Sequence, residues 1–454
     1  MTKKNNINKI QLNETVRIAT VFSGIGAVEE SFKQLKIPTN IVFACDNGER
    51  EPKLKLKVLF DVANHILTDK EQKKFIDKLI ENMFIIKHQN KSIVAIAKKE
   101  FKRLSSLNDE IKIKDAIAND GKTITNGKEE YTYQIQHTNL QDSLSFLNED
   151  KTQEFVKKWY ETTGVVNYMK LSYLANYKIE NNNWYEDIRF INGKKYRGKV
   201  DVIVGGSPCQ SFSTYGKKKG LDDTRGTLFY DYARLISEIK PKVFIYENVK
   251  GLLTHDKKKT WQVIKEVFES LDYTIKYEVL NAKDYGLPQL RRRIFVVGIR
   301  NDIPNRSSFS FPKPIKLIKK STDYLEDNIE NKYYLGKKGF EWMVTPEKNK
   351  RRSRVNQDII GCQTANQQDN WIGDFRIEKP KASHYIDPRI YIGKYEGKDA
   401  VARKMKPIEC LRLMGFKNFK LVLEDKRIYR QAGNSIAIPV LNALFKELKT
   451  ILKY

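Results

Sequence analysis

Gly205-Gly206-Ser207-Pro208-Cys209-Gln210-Ser211-Phe212-Ser213 follows Val200-Asp201-Val202-Ile203-Val204, and this junction decides how the chain is read. The β-branched run bounded by turn residues predicts a buried strand that empties into a Gly/Pro loop. Open α/β sheets do their chemistry in loops at the carboxyl ends of strands, and a proline stiffens the backbone that presents Cys209. Cys209 is thus placed as a nucleophile. The competing reading is a small apolar packing residue.

Working outward, the same alternation recurs on both sides. Arg17 to Phe22 predicts a strand, Ser23-Gly24-Ile25-Gly26-Ala27 a glycine turn, and Val28, Phe32 and Leu35 one face of the following helix. Glycines let a ligand approach the backbone, and a helix amino terminus favours negative charge, so this is a nucleotide-type site. The turn lacks the full dinucleotide fingerprint, and the chain has no GxxxxGK[ST] phosphate loop. A second strand, Ile41 to Cys45, ends in Asp46, where an acid can take ribose hydroxyls; an ordinary turn aspartate is the alternative. Downstream, Leu228, Phe229, Tyr232, Leu235, Ile236 and Ile239 form a helical stripe. Lys242 to Tyr246 then delivers Glu247-Asn248-Val249 to the same sheet edge as Cys209. Gln289-Leu290-Arg291-Arg292-Arg293 opens one more strand, Ile294 to Ile299.

The 454 residues exceed one simple core, and 83 Lys+Arg against 56 Asp+Glu give a net charge of +27, so a polyanionic partner is expected. Cys45, Cys209, Cys362 and Cys410 form no CxxC pair and only five histidines accompany them, which argues against a disulfide framework and a zinc site and fits a reducing cytoplasm. The opening Met1-Thr2-Lys3-Lys4-Asn5-Asn6 leads into no apolar signal core, and no run of about 18 apolar residues occurs. Neither export nor a membrane span is expected.

Between 51 and 180 the pattern changes. Ile76, Leu79, Ile80 and Met83, then Ile93, Ala97, Phe101 and Leu104, recur at helical spacing among lysines, which predicts an accessory layer of amphipathic helices. Gly121 to Gly127 and Asn181 to Asn183 read as loops, and His88 and His137 as surface or packing residues. From 301 to 402 the sequence is irregular and rich in Tyr, Asn, Lys and Arg, including Lys350-Arg351-Arg352-Ser353-Arg354 and Gln363-Thr364-Ala365-Asn366. Basic side chains interleaved with aromatic and amide groups suit phosphate and base-edge contacts, and Trp371, Phe375 and Tyr385 argue for a small packed module. A closing helix carries Leu441, Leu444, Phe445, Leu448 and Ile451 on one face.

The ordered set Phe22-Ser23-Gly24-Ile25-Gly26, Ser207-Pro208-Cys209-Gln210, Glu247-Asn248-Val249, Gln289-x-Arg291-x-Arg293, Pro407-Ile408-Glu409-Cys410 and Gly433-Asn434-Ser435 resembles the C5-cytosine DNA methyltransferases. The match covers the chain apart from 51–180 and 301–402. It implies an α/β fold: a Rossmann-like S-adenosylmethionine-dependent catalytic domain from 1–50 and 181–300, completed by 403–454, with a mainly helical insertion at 51–180 and a smaller target-recognition domain at 301–402. It also implies roles. Cys209, with Gln210 beside it, matches the thiol that adds to cytosine C6; Glu247 matches the holder of the N3 and amino edge, and Arg293 the partner of O2. Arg291 is expected to hold phosphate. Phe22, Gly24, Gly26, Asp46, Asp187, Pro208, Leu228 and Asn434 match the donor pocket, although Asn47 replaces an aromatic residue found in some relatives and Asp46 is one methylene shorter than the usual Glu.

Stacked cytosines imply base flipping, and the Gln210–Gly226 loop has the glycines and lysines to close over a flipped nucleotide. Double-stranded DNA is the implied partner, with a restriction endonuclease acting on the same site without physical contact. No metal is expected. A tRNA cytosine-C5 methyltransferase, a catalytically silent DNA-binding relative and a dinucleotide oxidoreductase remain the competing readings. Intact Cys209, Glu247 and Arg293 oppose the second; the incomplete glycine fingerprint opposes the third.

Overall fold

The computed structural model describes residues 15–82, 84–89, 92–97, 124–126, 129–134, 137–207, 227–345 and 353–453. Strand β1 (Val16–Val21) is central because Val16, Ile18, Ala19 and Val21 bury apolar side chains on both of its faces. The chain turns into helix α1 (Ala27–Leu35) and returns as β2 (Thr39–Cys45), parallel to β1 with Ile18 opposite Ile41.

Next comes the insertion: α2 (Leu56–Ile66), α3 (Asp69–Asn82), β3 (Phe84–Gln89), β4 (Ser92–Ala97), β5 (Ile124–Asn126), β6 (Glu129–Gln134), α4 (His137–Leu144) and α5 (Glu149–Glu161). Its helices bury Leu59, Phe75, Leu79, Leu140, Phe155 and Trp159 in a core of their own. Ile76 and Leu79 fall on a helix as expected. Ile93 and Ala97 do not: they lie on β4, in a four-stranded sheet ordered β4-β3-β6-β5, and Ile124–Asn126 is a strand instead of a loop. A short run such as Ser-Ile-Val-Ala-Ile-Ala satisfies both periods, and its β-branched residues decide for the sheet. Met83, Phe101 and Leu104 lie outside the described residues.

Helix α6 (Tyr168–Asn176), expected within the insertion, belongs by its packing to the catalytic sheet, since Met169 and Tyr173 share a core with Val28, Trp184 and Val204. The sheet then continues through β7 (Trp184–Tyr185), β8 (Val202–Gly205), α7 (Thr227–Ile239), β9 (Val243–Val249), α8 (Lys259–Glu269), β10 (Tyr273–Asn281) and β11 (Arg292–Arg300). Its seven strands are ordered β10-β11-β9-β8-β1-β2-β7, and only β11 opposes the rest. The order reverses at β1, from which the chain proceeds to β2 on one side and later to β8 on the other. The carboxyl ends there border the crevice that such sheets use for ligands. The predicted stripe on α7 is buried at Phe229, Tyr232, Leu235, Ile236 and Ile239 against Phe244 and Phe268.

A second module contains α9 (Lys337–Val344), β12 (Ser353–Val355), β13 (Gly373–Glu378), α10 (Ala382–Ile386), β14 (Gly393–Tyr395) and β15 (Lys398–Lys404), with Phe340, Met343, Phe375 and Ala402 at its core. Phe375 is buried and Trp371 packs at its edge, but Tyr385 is exposed and contributes nothing to this core. Helices α11 (Pro407–Arg412), α12 (Asp425–Asn434) and α13 (Ile438–Glu447) return to the first sheet, where Phe445 meets Phe32 of α1 at 4.3 Å between ring centroids. Buried Arg403 joins the parts, bonding Glu378 on β13 at 2.6 Å and Glu409 on α11 at 2.9 Å. With both partners in place this buried charge is compensated.

Candidate active site

Strands β8 and β9 are parallel neighbours, so their carboxyl-end loops emerge together. A Cβ on Gly206 would lie 2.2 Å from the main-chain oxygen of Glu247, an approach that only glycine permits. Ser207 is then held from two directions. Its hydroxyl shares a 2.8 Å hydrogen bond with the Tyr246 hydroxyl, while Asn248 Nδ2 donates to the Ser207 carbonyl at 3.0 Å and to Tyr246 at 2.9 Å. A buried root with its polar groups paired is rigid. Pro208, Cys209 and Gln210 follow directly from it but lie outside the described residues, as does the loop onward to Gly226.

Strand β11 runs antiparallel to β9 with Phe295 opposite Glu247. That register brings Arg293 Nε to 3.3 Å from Glu247 Oε1, with the side chains 17% and 14% exposed. Burial pushes the Glu247 carboxyl above its ordinary range, and the Arg293 and Arg291 charges pull it back. A carboxyl balanced in this way can carry a proton or accept a hydrogen bond.

Arg291 is buried, donating to the carbonyls of Gln363 at 2.8 Å, Gly433 at 3.0 Å and Ser435 at 2.6 Å, so its guanidinium ties chain segments together. Gln289, also buried, does the same by donating to Leu413 O at 2.7 Å and accepting from Gln363 N at 3.1 Å. Of the suggested contact segment, Gln363 is buried, whereas Thr364 and Asn366 are exposed. The Thr364 main chain lies against Gly433, where a Cβ would come within 2.1 Å of it.

On the donor side, Phe22 follows β1 with φ +54°, a left-handed conformation unusual for a bulky residue and of the strained kind found at binding turns. Gly24 donates its N–H to Asp46 Oδ2 at 2.8 Å, and the space a Cβ would fill at Gly24 is open. Asp46 Oδ1 accepts from Gly48 N at 2.8 Å. Each oxygen so engaged keeps acceptor capacity for a vicinal diol, and the open glycine gives room for one. Burial raises the Asp46 pKa against these hydrogen bonds. Gly26 differs: Tyr177 fills the space a Cβ would take, so its bare face serves packing. Leu228 is half-buried at the start of α7. Asn434 is exposed and donates to Glu49 Oε1 at 2.8 Å, which brings α12 to the turn after Asp46. Asp187 is buried and accepts from Arg189 Nη2 and the Tyr160 hydroxyl, each at 2.8 Å. Burial opposes its ionisation, but the Arg189 charge prevails and holds it below the ordinary range.

A cavity of about 460 Å³ lies between α5 and the edge of the sheet, lined by Asp150, Lys170, Trp184 and Asp187 among others, and reaches neither Asp46 nor Glu247. Sequence reasoning missed the supporting residues. Asn248 stood inside a quoted tripeptide with no role attached, while Tyr160 carries no local signal for its bond to an acid 27 residues away. Among the described residues no group of three His, Cys, Asp or Glu side chains could hold a metal.

A family model for C-5 cytosine-specific DNA methylases matches residues 165–450. Type II methyltransferase M.SsoII of Shigella sonnei is 39% identical over 253 residues, covering 55% of this chain and 63% of that protein. M.HhaI of Haemophilus parahaemolyticus is 35% identical over 258 residues, 56% and 77% of the two chains. The chain thus spans less than two thirds of the length of M.SsoII, and the same 63% holds for M1.ScrFI of Lactococcus lactis. The S. pombe Dnmt2 methyltransferase structure superposes with a TM-score of 0.53 at 13% identity, covering 97% of this chain and all of that one, a likeness of fold.

Proposed function

Because the chain belongs to the C-5 cytosine-specific DNA methylase family, we propose that it transfers a methyl group from S-adenosylmethionine to C5 of a cytosine in a specific duplex DNA sequence. The observation that carries the reading is the Glu247–Arg293 pair, partly open and set against the glycine root of the Cys209 loop. S-adenosylmethionine supplies an electrophilic methyl group. Cytosine C5 is a poor nucleophile, and Cys209 corrects this by bonding C6 as a thiolate, which gives C5 enamine character. Glu247 holds the N3 and amino edge and provides N3 with the proton that relieves the added charge; Arg293 bonds O2 and steadies Glu247. C5 attacks the methyl group and releases S-adenosylhomocysteine; loss of the C5 proton to water then lets the C6–sulfur bond break, which returns Cys209 to the thiolate and the N3 proton to Glu247.

Phe22, Gly24, Asp46, Asp187, Pro208, Leu228 and Asn434 are proposed to surround the donor. The hydrogen bonds of Asp46 support it as the diol-binding acid, and Gly26 is proposed beside the donor with them, its Cα packed against Tyr177. Gln210 would accompany Cys209 at the flipped base. Sequence choice is assigned to the 301–402 module, with Thr364 and Asn366 as its accessible contacts. A cognate endonuclease acting on the same site without physical contact, and a cytoplasmic setting, complete the proposal. Positions of 5-methylcytosine in DNA from cells expressing the chain test it. One recurrent sequence context that disappears with Cys209→Ser is expected; methylation indistinguishable from cells without the chain would refute it.

A further inference from the structure

The insertion closes on the segment that carries Asp187. Tyr160 of α5 donates its hydroxyl to Asp187 Oδ2 at 2.8 Å. Gln141 of α4 donates to the carbonyl of Arg189. Glu149 accepts from the Tyr185 hydroxyl at 3.1 Å, and Phe190 completes the insertion's own apolar core. Tyr160 also reaches the other acid's turn. Its ring lies 5.0 Å from the Arg50 guanidinium, and Arg50 pairs with Glu186 and donates to Asn47 O at 2.8 Å, next to Asp46. One side chain therefore touches both turns that follow β2 and β7.

We propose that the insertion braces the methyl-donor site, with Tyr160 as the positioning residue that holds Asp187 and the Asp46–Arg50 turn in register. The inference rests on the donor-binding reading of Asp187. Arg189 lies two residues from Asp187 and moves with the same turn, so it cannot fix that turn relative to β2. Tyr160 can, because it enters from a separate helix, α5, and contacts the side chains of both turns. A hydrogen bond to a charged acceptor is among the stronger kinds, and its loss loosens the acid without touching the nucleophile or the base pocket.

The test is Tyr160→Phe in the full chain, which keeps the ring and removes the hydroxyl. Calorimetric binding of S-adenosylhomocysteine should weaken about tenfold, and KM for S-adenosylmethionine should rise by about as much. kcat on duplex DNA should stay within about twofold, a split that general destabilisation would not produce. Gln141→Ala, at an independent contact, should shift donor binding in the same direction and serves if Tyr160→Phe fails to fold. Asp187→Asn is the reference. Unchanged donor affinity in the Tyr160 and Gln141 variants, beside a loss in Asp187→Asn, would overturn the brace alone. Unchanged affinity in Asp187→Asn would remove the donor assignment of Asp187, and the brace with it.

Discussion

At Glu247, burial favours the neutral acid and Arg293 favours the carboxylate, so the protonated form persists above the usual carboxylate range. The proposed step consumes that proton, and the rate should decline as pH rises through the Glu247 pKa. Glu247→Gln keeps a hydrogen-bonding edge but offers no proton; kcat should fall at least about 100-fold while DNA affinity stays near wild type. Single-turnover rates beside filter binding check this, and a defect in DNA affinity alone would make Glu247 a positioning group. Gly206 poses a steric demand. A methyl group there meets the Glu247 carbonyl at 2.2 Å, so Gly206→Ala should displace the Cys209 loop and lower methyl transfer at least about tenfold with the fold intact by circular dichroism. Normal turnover would contradict the close approach.

Among elements, those buried by the main sheet were legible in the sequence. Val202-Ile203-Val204 and Val243 to Tyr246 read as strands because both of their faces are apolar, and the 3.6-residue stripe of α7 survives as a face buried from Phe229 to Ile239. Glu247 and Arg293 lie near the ends of the neighbouring strands β9 and β11, and the antiparallel register, which the motif order does not state, sets them 3.3 Å apart. What failed was long-range or ambiguous in period. β4 satisfies helical and strand spacing alike, the three carbonyl partners of Arg291 come from distant segments that no local pattern marks, and nothing near Tyr160 announces Asp187. The insertion offers a separate test through His137, which packs by Trp159 at the start of α4. Burial first, then Arg189, lowers its pKa from 6.5 to about 3. The unfolded chain therefore binds the proton more readily, and the stability this residue contributes is complete above 6.5 and lost as pH falls toward about 3. His137→Gln should flatten the fall in Tm between about pH 7 and about pH 5, as scanning calorimetry would record; an unaltered slope would place the acid-sensitive group elsewhere.

Across the whole molecule, the charge of +27 and the two modules joined through Arg403, Gln289 and Arg291 describe a cationic body whose modules are tied together by buried hydrogen bonds and ion pairs. If phosphate neutralisation drives association, log Kd for duplex DNA should rise linearly with log salt concentration; fluorescence anisotropy across a salt series measures the slope, and a flat line would remove DNA as the partner that the charge implies. The central claim is covalent methyl transfer to cytosine in duplex DNA, and fluorine at C5 tests it because fluorine cannot leave as a proton does. The measurement is adduct formation with a randomised duplex library containing 5-fluorocytosine. The account predicts a denaturation-resistant complex that requires S-adenosylmethionine, is absent with Cys209→Ser, and is enriched in one sequence. No adduct on any duplex, with capture instead on 5-fluorocytosine-substituted tRNA, would contradict it.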